Sequence, residues 1–196
     1  MSSIDVKKIN PIEQKSPNQG TGAGGTMTNK NGLSYEKKVS FVNLANLQHT
    51  KTKFGKCKND EYYTYKGVKS EKVYKIMRKN GLSNYFKEKC EKNIGRVLQP
   101  DECMVDEINK IIYIIEVKFQ SAGGSVDEKI RCGIVTKILY TLQYPGYQIE
   151  YIYVLCDWFK QKKYITELKI NKLFNIHILF GSDENYMNQL INIFDN

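Results

Sequence analysis

The amino-acid sequence predicts one mixed α/β domain, with a central mixed sheet flanked by helices. Short apolar runs of strand type alternate along the chain with segments of helical periodicity. The 196 residues are enough for one full core. No uninterrupted apolar run approaches the roughly 20 residues that a membrane span needs. We therefore expect a soluble protein with no membrane partner.

The cysteines and the N-terminal segment indicate the expected compartment. Five cysteines, at positions 57, 90, 103, 132 and 156, include no CxxC pair and are odd in number. The first residues, MSSIDVKKINPIEQKSP, have no apolar core of the signal-peptide type. We expect reduced thiols in a cytoplasmic protein. Because the chain has only two histidines, a Cys/His zinc site would need scattered ligands, so any metal is expected to be bound by oxygen.

The composition divides the chain into an arm and a domain. Residues 1–31 are poor in large apolar side chains and rich in Lys, Asn, Gly, Ser and Thr, which predicts a flexible N-terminal arm before a domain over residues 32–196. The arm contains GTGAGG, which formally spells G-x-G-x-x-G. A dinucleotide-binding loop needs a preceding strand and an acid about 20 residues later, and residues 37–59 contain no acid. We therefore interpret these glycines as a hinge.

Periodicity and turn residues predict the elements of the domain. A helix is expected from Leu33 to about Gln48, with Ser34 as its N-cap. The further predicted elements, in chain order, are a strand over 61–68, helices over 71–79 and 84–91, strands over 103–108 and 111–119, a helix over 125–142 that begins at an S-x-x-E capping box, a strand over 148–159, a helix over 164–173, a strand over 176–180 and a helix over 184–194.

The positive charge is concentrated in one segment. The formal net charge is +9, and residues 51–96 account for all of it with 14 Lys or Arg against 5 Asp or Glu. Aromatic side chains are interleaved with these cations, at positions 54, 62, 63, 65, 74, 85 and 86. Flexible cations beside flat rings are typical of surfaces that follow a nucleic-acid backbone. A solvated charged face over ordinary core aromatics is the alternative, and the sequence leaves both open.

The two strands around residues 109–110 are predicted to form an antiparallel hairpin. With a two-residue turn there, residues whose numbers sum to about 219 stand opposite each other, so Cys103 faces Glu116 and Asp101 faces Lys118. Asp101, Glu116 and Lys118 are therefore expected on one face, at the same end of the hairpin.

A different turn would change one of these acids. In the predicted register Asp106 lies on the other face, with Tyr113, Ile115 and Val117. A three-residue turn would shift the register by one and exchange Asp101 for Asp106. The sequence leaves Asp106 as the alternative acid.

Two carboxylates and an ammonium at one end of a sheet have a chemical use. Hard oxygen ligands bind Mg²⁺, and the ion compensates the cost of grouping buried acids. Such an ion acidifies a water and stabilises the charge that develops when a phosphodiester is attacked, while Lys118 orients or helps to deprotonate that water. Hydrolysis of a nucleic-acid backbone fits both this site and the basic segment. An exposed cross-strand ion pair of Glu116 and Lys118 is the alternative.

Pro100-Asp101 followed by Glu116-Val117-Lys118 resembles the motif of the PD-(D/E)xK nucleases, and within them type II restriction endonucleases. The resemblance extends to the order of elements over about residues 33–156, which is similar to the α-β-β-β-α-β core of that superfamily with a basic helical insertion, here about 51–96, and a C-terminal α-β-α extension. It implies that Asp101 and Glu116 bind Mg²⁺, with Val117 among the metal ligands, and that Lys118 is the catalytic lysine.

Two further residues match positions of that family. In many members an acid on the first helix assists a metal through water, and Glu36 is the residue that matches; a helix-surface glutamate is the alternative. Gln120 resembles the polar residue that often follows the motif, where it would contact metal-bound water or DNA.

The function expected from this resemblance is Mg²⁺-dependent, site-specific cleavage of double-stranded DNA. Cutting both strands of a symmetric site favours a homodimer, and a cognate DNA methyltransferase is expected as the system partner. The glycine-rich arm would then either act as a hinge or close over bound DNA. A structure-specific nuclease of the junction or repair type, and a nucleic-acid-binding module without catalysis, are the alternatives.

Overall fold

The computed structural model describes residues 25–44, 51–87, 97–121 and 126–195. Within these ranges one sheet contains the strands β1 Lys51–Lys53, β2 Glu61–Lys66, β3 Val73–Met77, β4 Glu102–Asp106, β5 Ile111–Lys118, β6 Gln148–Leu155 and β7 Ile176–Phe180. The helices are α1 Gly25–Val39, α2 Phe41–Leu44, α3 Gly81–Tyr85, α4 Val126–Arg131, α5 Gly133–Gln143, α6 Ile165–Leu173 and α7 Tyr186–Phe194. None of these described helices has the length and apolar character that crossing a bilayer requires.

The strand order in the sheet follows the chain, from β1 at one edge to β7 at the other. Neighbours from β1 to β5 are antiparallel, whereas β5, β6 and β7 are parallel. Parallel neighbours need crossover connections, and these contain α4 and α5 in one case and α6 in the other. A mixed α/β fold with a mixed sheet flanked by helices is thereby confirmed.

Alternation along the strands creates a core on each face of the sheet. The register partners Met77, Cys103, Ile114 and Tyr151 form a buried row that packs with Tyr140 of α5. We call this side the α5 face. The other side, the α1 face, packs against the end of α1 and against α2 and α7, through Val39, Phe41, Tyr186, Leu190 and Phe194.

The segment 71–79, predicted as a helix, contains the strand β3 instead. Its apolar residues Tyr74 and Ile76 are fully buried on one side of the strand, with Met77 on the other. Hydrogen bonding to both β2 and β4 gives this segment two neighbouring strands, a non-local gain that overrides local propensity. Residues 51–87, the described part of the basic segment, consequently extend the sheet by β1, β2 and β3 and contain the short helix α3, so the predicted helix over 71–79 was wrong.

The first helix also differs from its prediction. It begins at Gly25, inside the segment expected to be an arm, so Ser34 lies within the helix and is not its cap. The helix breaks at Ser40, and α2 begins at the next residue. Leu33, expected on the buried side, is 57% exposed. Residues 45–48 of the prediction, and residues 1–24 with most of the glycine-rich sequence, lie outside the described part.

The hairpin of β4 and β5 has a longer loop than predicted. Asp106 pairs with Ile111, and opposite residues have numbers that sum to 217 rather than 219. Because both sums are odd, the two registers put the same residues on the same faces. The predicted faces are therefore confirmed, while the predicted opposite pairs were each wrong by two residues.

The remaining elements agree with their predictions within a few residues. The strands β2, β6 and β7, the helices α6 and α7, and the helical region of α4 and α5 are present, although a break near Cys132 divides the last of these. Ser125 of the predicted capping box and residues 88–91 of a predicted helix lie outside the described residues.

Asp195 connects α7 to the turn between β2 and β3. It is fully buried and accepts hydrogen bonds from the backbone N–H groups of Lys69, at 2.9 Å, and Ser70, at 3.0 Å. The Ser70 hydroxyl donates to the same carboxylate. Burial raises the pKa of Asp195, but these donors outweigh it and hold the pKa below its ordinary value. The carboxylate therefore stabilises the folded state when it is ionised.

Asp195→Asn is expected to lower the free energy of unfolding by about 1–3 kcal/mol at pH 7, because an amide cannot accept all of these hydrogen bonds. A group whose pKa is depressed in the folded state stabilises above its unfolded pKa of about 3.9, and this stabilisation is lost as the pH falls through the folded pKa. Urea unfolding at pH 7 and at pH 3 should show the difference from wild type shrink in acid. Glu71→Gln, an exposed change in the same turn, should stay within about 0.5 kcal/mol at both values. A deficit of equal size at both pH values would contradict the role of the charge.

Candidate active site

Charged residues form a row across three strands where β3 and β5 end and β4 begins. Met77 pairs with Cys103 and Glu102 pairs with Ile115. The same registers, extended past the strand ends, place Lys79 opposite Asp101 and Asp101 opposite Glu116. A backbone hydrogen bond of 2.8 Å from the Lys79 N–H to the Pro100 carbonyl continues the pairing there. The row lies on the α5 face.

Glu116 and Lys118 lie at the end of β5 on the same face. The Lys118 ammonium donates to Glu116 Oε2 at 2.8 Å and lies 3.3 Å from the Val117 carbonyl oxygen. The two charged side chains are only 13% and 17% exposed. They are mostly buried, so the alternative of an ion pair on an exposed face does not describe them.

Asp101 is fixed between β5 and Lys79. Its Oδ2 accepts a hydrogen bond of 2.9 Å from the Val117 backbone N–H, and its Oδ1 accepts one from the Lys79 ammonium. The same ammonium donates to Glu36 Oε2 of α1 at 3.3 Å. Lys79 therefore connects Glu36 to the charged row, and a role of Glu36 in assisting a metal through water stays a prediction.

The surroundings of Glu116 disfavour its charged form. Burial raises the pKa of Glu116, Lys118 lowers it, and the negative charge of Asp101 raises it again, so that the pKa lies above its ordinary value. Burial lowers the pKa of Lys79, but Asp101 and Glu36 raise it to a net value above the ordinary one. The two acids repel each other, and a cation near both would relieve that repulsion.

Three buried tyrosines line the inner side of Glu116. Tyr140 of α5 and Tyr151 and Tyr153 of β6 are each about 1% exposed. Burial raises the pKa of all three phenols, and the negative charge of Glu116 raises it further. Neutral aromatic walls of this kind exclude water and strengthen the interactions of the carboxylate.

The donor atoms fit a hard divalent cation bound by a small set of oxygens. Asp101 and Glu116 supply carboxylates on opposite strands, and the only oxygen that Val117 offers is its backbone carbonyl. Among the described residues, no group of three His, Cys, Asp or Glu side chains is close enough to hold a metal ion by itself. The residues therefore fit Mg²⁺ held by two carboxylates, a carbonyl and water, with Glu36 kept apart by Lys79.

A cavity of about 330 Å³ adjoins the row. Glu36, Lys79 and Asp101 belong to both the row and the cavity wall. The other charged or amide groups of the wall are Lys37, Asn43, Lys58, Asn59, Arg78 and Glu102. The cavity thus presents cations from α1, from the loop after β1 and from the end of β3 beside the acids. This is the charge distribution that suits an anionic ligand.

Glu102 fixes the wall of this cavity on the α1 face. It is 4% exposed and accepts hydrogen bonds from the Ser40 hydroxyl at 3.0 Å, the Phe41 N–H at 2.8 Å and Arg78 Nε at 3.1 Å. Arg78 also donates to the Ser40 hydroxyl. The carboxylate therefore joins the break between α1 and α2 to the ends of β3 and β4.

Asp106 lies away from the charged row, and Gln120 lies near its end. Asp106, the alternative acid, lies at the far end of β4 and accepts hydrogen bonds from Asn109, so it belongs to the hairpin loop. Gln120 lies two residues beyond Lys118, is 6% exposed, and exchanges backbone contacts with the Cys156 thiol. A contact of Gln120 with metal-bound water or DNA stays a prediction.

Lys79 and Arg78 were missed by the sequence reasoning. Both follow β3, and the helix predicted there gave no reason to align them with Asp101. The alternation in VYKIM, residues 73–77, is the signal that would have found them, since an antiparallel strand beside β4 brings its end to the start of β4.

The aromatic residues of the basic segment divide into two groups. Tyr65, Tyr74 and Phe86 are 4% exposed or less and belong to the cores, so the core interpretation holds for them. Phe54 is 36% exposed and packs against Tyr62 and Tyr85. Lys75 lies over the rings of Tyr62 and Tyr85, at 5.2 and 5.1 Å.

Comparison with known proteins adds no relative to this description. No family model, no curated protein and no solved structure matches the chain. The charged row and the cavity beside it are therefore the features that indicate a function.

Proposed function

We propose that this chain is a Mg²⁺-dependent endonuclease that hydrolyses double-stranded DNA at specific sites, in the manner of type II restriction enzymes. In this proposal its sheet corresponds to the PD-(D/E)xK core, with α1 as the first helix, β3 to β5 as the antiparallel strands, α5 as the crossover helix and β6 as the parallel strand. The extension then consists of α6, β7 and α7. A cognate DNA methyltransferase is proposed as the system partner.

One observation carries the proposal. Asp101, the residue before β4, lies opposite Glu116 of β5 when the β4–β5 register is extended by one residue, and the Lys118 ammonium lies 2.8 Å from Glu116. Two carboxylates and a lysine at the end of a buried sheet cost free energy unless a ligand uses them. The motif spacing alone is short and weakly specific, and the juxtaposition of these side chains in the fold adds support to it.

The residues have separate roles in the proposed reaction. Asp101, Glu116 and the Val117 carbonyl would hold Mg²⁺, which when bound supplies an acidified water and neutralises charge on the phosphate. Lys118 orients the attacking water and stabilises its deprotonated form through its ammonium. The walls of buried tyrosine exclude bulk water from the inner side of Glu116. Glu36 and Gln120 are proposed to hold water molecules at the edge of the site.

The cavity cations support DNA as the substrate. Lys37, Lys58 and Arg78 line the cavity beside the acids, and the segment 51–96 contributes the whole net charge of +9. Backbone phosphates neutralise such cations and supply affinity that falls with salt. Side chains outside the β4–β5 hairpin are proposed to contact the base edges and so to recognise the DNA sequence.

The first prediction concerns cleavage. Wild-type protein with Mg²⁺ should convert a long mixed-sequence DNA into discrete bands, and EDTA should abolish them. Lys118→Ala should lower the cleavage rate by about 10²–10⁴-fold, because it removes the group that orients the water. Lys169→Ala, at an exposed lysine of α6 outside the basic segment, is the matched control and should cut normally.

The pattern of products decides between the alternatives. Discrete bands on linear duplex support a sequence-specific enzyme, whereas cleavage restricted to four-way junctions or damaged duplexes would favour a structure-specific nuclease. Intact but retarded DNA in every lane, with wild type and Mg²⁺ included, would overturn the nuclease proposal in favour of a binding module.

The second prediction concerns phosphate contacts. Lys58→Ala should weaken duplex binding in EDTA about equally for all sequences and lower the slope of log K against log salt by about 1, because one phosphate contact is lost. Fluorescence anisotropy at several salt concentrations measures both quantities. Lys169→Ala, an exposed lysine of α6, should leave the slope unchanged. An unchanged slope for Lys58→Ala would remove this cavity wall from the DNA interface.

The third prediction concerns assembly. Two chains are expected on one duplex, because each subunit of a symmetric dimer brings one active site to one strand. Sedimentation velocity in EDTA with a duplex that contains the mapped site should give a 2:1 complex. A 1:1 complex that still cuts both strands would contradict the homodimer.

A further inference from the structure

Lys79 connects carboxylates from separate elements. Its ammonium donates to Asp101 at the start of β4 and to Glu36 of α1. Lys79 thus neutralises Glu36 and Asp101, which both line the cavity.

The backbone of Lys79 is fixed while its side chain can move. Its φ of 50° is in the left-handed region that non-glycine residues rarely adopt, and its N–H donates to the Pro100 carbonyl. The side chain is 39% exposed and lines the cavity. A flexible four-carbon stem on a fixed backbone lets the ammonium change partners without a change of fold.

The ammonium occupies an oxygen that a metal ion would use. Asp101 Oδ2 already accepts the Val117 N–H, and Oδ1 accepts Lys79. A divalent ion shared by Asp101 and Glu116 needs a carboxylate oxygen of Asp101. Two cations at the same carboxylate oxygen repel each other, so in a partly buried site the ammonium weakens the binding of a metal ion there.

We propose that Lys79 is a displaceable counter-ion. It neutralises Asp101 and Glu36 when no divalent ion is bound, and its ammonium moves into the cavity to bind a phosphate of the nucleic acid when a divalent ion is bound. The identity of the phosphate ligand rests on the function proposed above. Metal and nucleic acid then bind cooperatively, because each favours the same released position of Lys79.

Metal affinity without DNA tests the counter-ion role. Lys79→Met should bind Mn²⁺ about tenfold more tightly than wild type, because the competing charge is gone. Lys79→Arg keeps the charge and should remain close to wild type. Lys75→Met is the matched control, since Lys75 lies on β3 and pairs with Glu107 instead. Titration followed by electron paramagnetic resonance of free Mn²⁺ measures the affinities, and equal values for Lys79→Met and wild type would overturn the role.

The unmodified chain provides a test that does not depend on a variant folding. Acetylation by N-hydroxysuccinimidyl acetate, followed by peptide mass spectrometry, reports how accessible each lysine is. Saturating Mg²⁺ should raise the modification rate of Lys79 severalfold, while Lys75 and Lys169 serve as internal references. A rate for Lys79 that stays constant or falls when the ion binds would overturn the displacement.

The coupling to DNA tests the second half of the proposal. In the Lys118→Ala background, which blocks cleavage, Mg²⁺ at constant ionic strength should tighten duplex binding several-fold. The Lys118→Ala, Lys79→Met double variant should lose that gain. Equal Mg²⁺ effects in the two proteins would overturn the phosphate contact.

The results also separate this inference from the nuclease proposal. Wild-type protein that never cuts DNA, together with tighter Mn²⁺ binding by Lys79→Met, would remove the nuclease proposal and support the counter-ion role. Normal cleavage with unchanged Mn²⁺ affinity in Lys79→Met would overturn the counter-ion role and leave the nuclease proposal intact.

Discussion

The pairing of β4 with β5 determines on which face of the sheet Asp101, Glu102 and Glu116 lie. Its register directs Asp101 and Glu116 to the α5 face and Glu102 to the α1 face. A slip of one residue in either strand would exchange its faces, and would move Cys103 or Ile114, which are both fully buried, from the core on the α5 face to the core on the α1 face. The apolar residues of the hairpin therefore specify the position of the charges, although they make no contact with a ligand themselves.

The free-energy cost of burying these charges is partly offset because each acid has a cation beside it. Lys79, Asp101, Glu116 and Lys118 follow one another as cation, acid, acid and cation. An uncompensated buried ion costs several kcal/mol, roughly what breaking one such pair would cost. The flanking ammonium groups satisfy each acid from outside, but the two acids still face each other. The raised pKa of Glu116, caused by burial and by Asp101 against the opposing effect of Lys118, reflects this geometry. A third cation between the acids is the simplest chemical complement.

The sequence predicted the features that depend on the alternation of side chains along a strand. It missed those that depend on pairing between strands that are distant in the sequence. The faces of Asp101 and Glu116 were predictable, because a hairpin loop that is longer by two residues changes opposite partners without changing faces. Strand β3 was missed because the charged residues of the surrounding segment 71–79 also suit a helix, whereas the strand is stabilised by its pairing with β2 and β4. The position of Lys79 was lost with that strand. The start of α1 at Gly25 has no structural explanation. Within the helix, no atom of the described residues lies within 4 Å of the position where a Cβ would be at Gly32.

The position of Glu36 is fixed by contacts of its neighbours in the helix. Glu36 itself lies at the surface. It lies one helical turn before Ser40, which Glu102 holds to the sheet. On its other side, the Tyr35 hydroxyl donates to the Leu155 carbonyl at 2.7 Å. These two anchors fix α1 over the end of the strands, so the 31% exposed Glu36 side chain meets Lys79 rather than bulk water alone. Adjacent residues therefore have complementary roles: Asp101 supplies the charge of the site, and Glu102 positions the helix that brings the third acid to it.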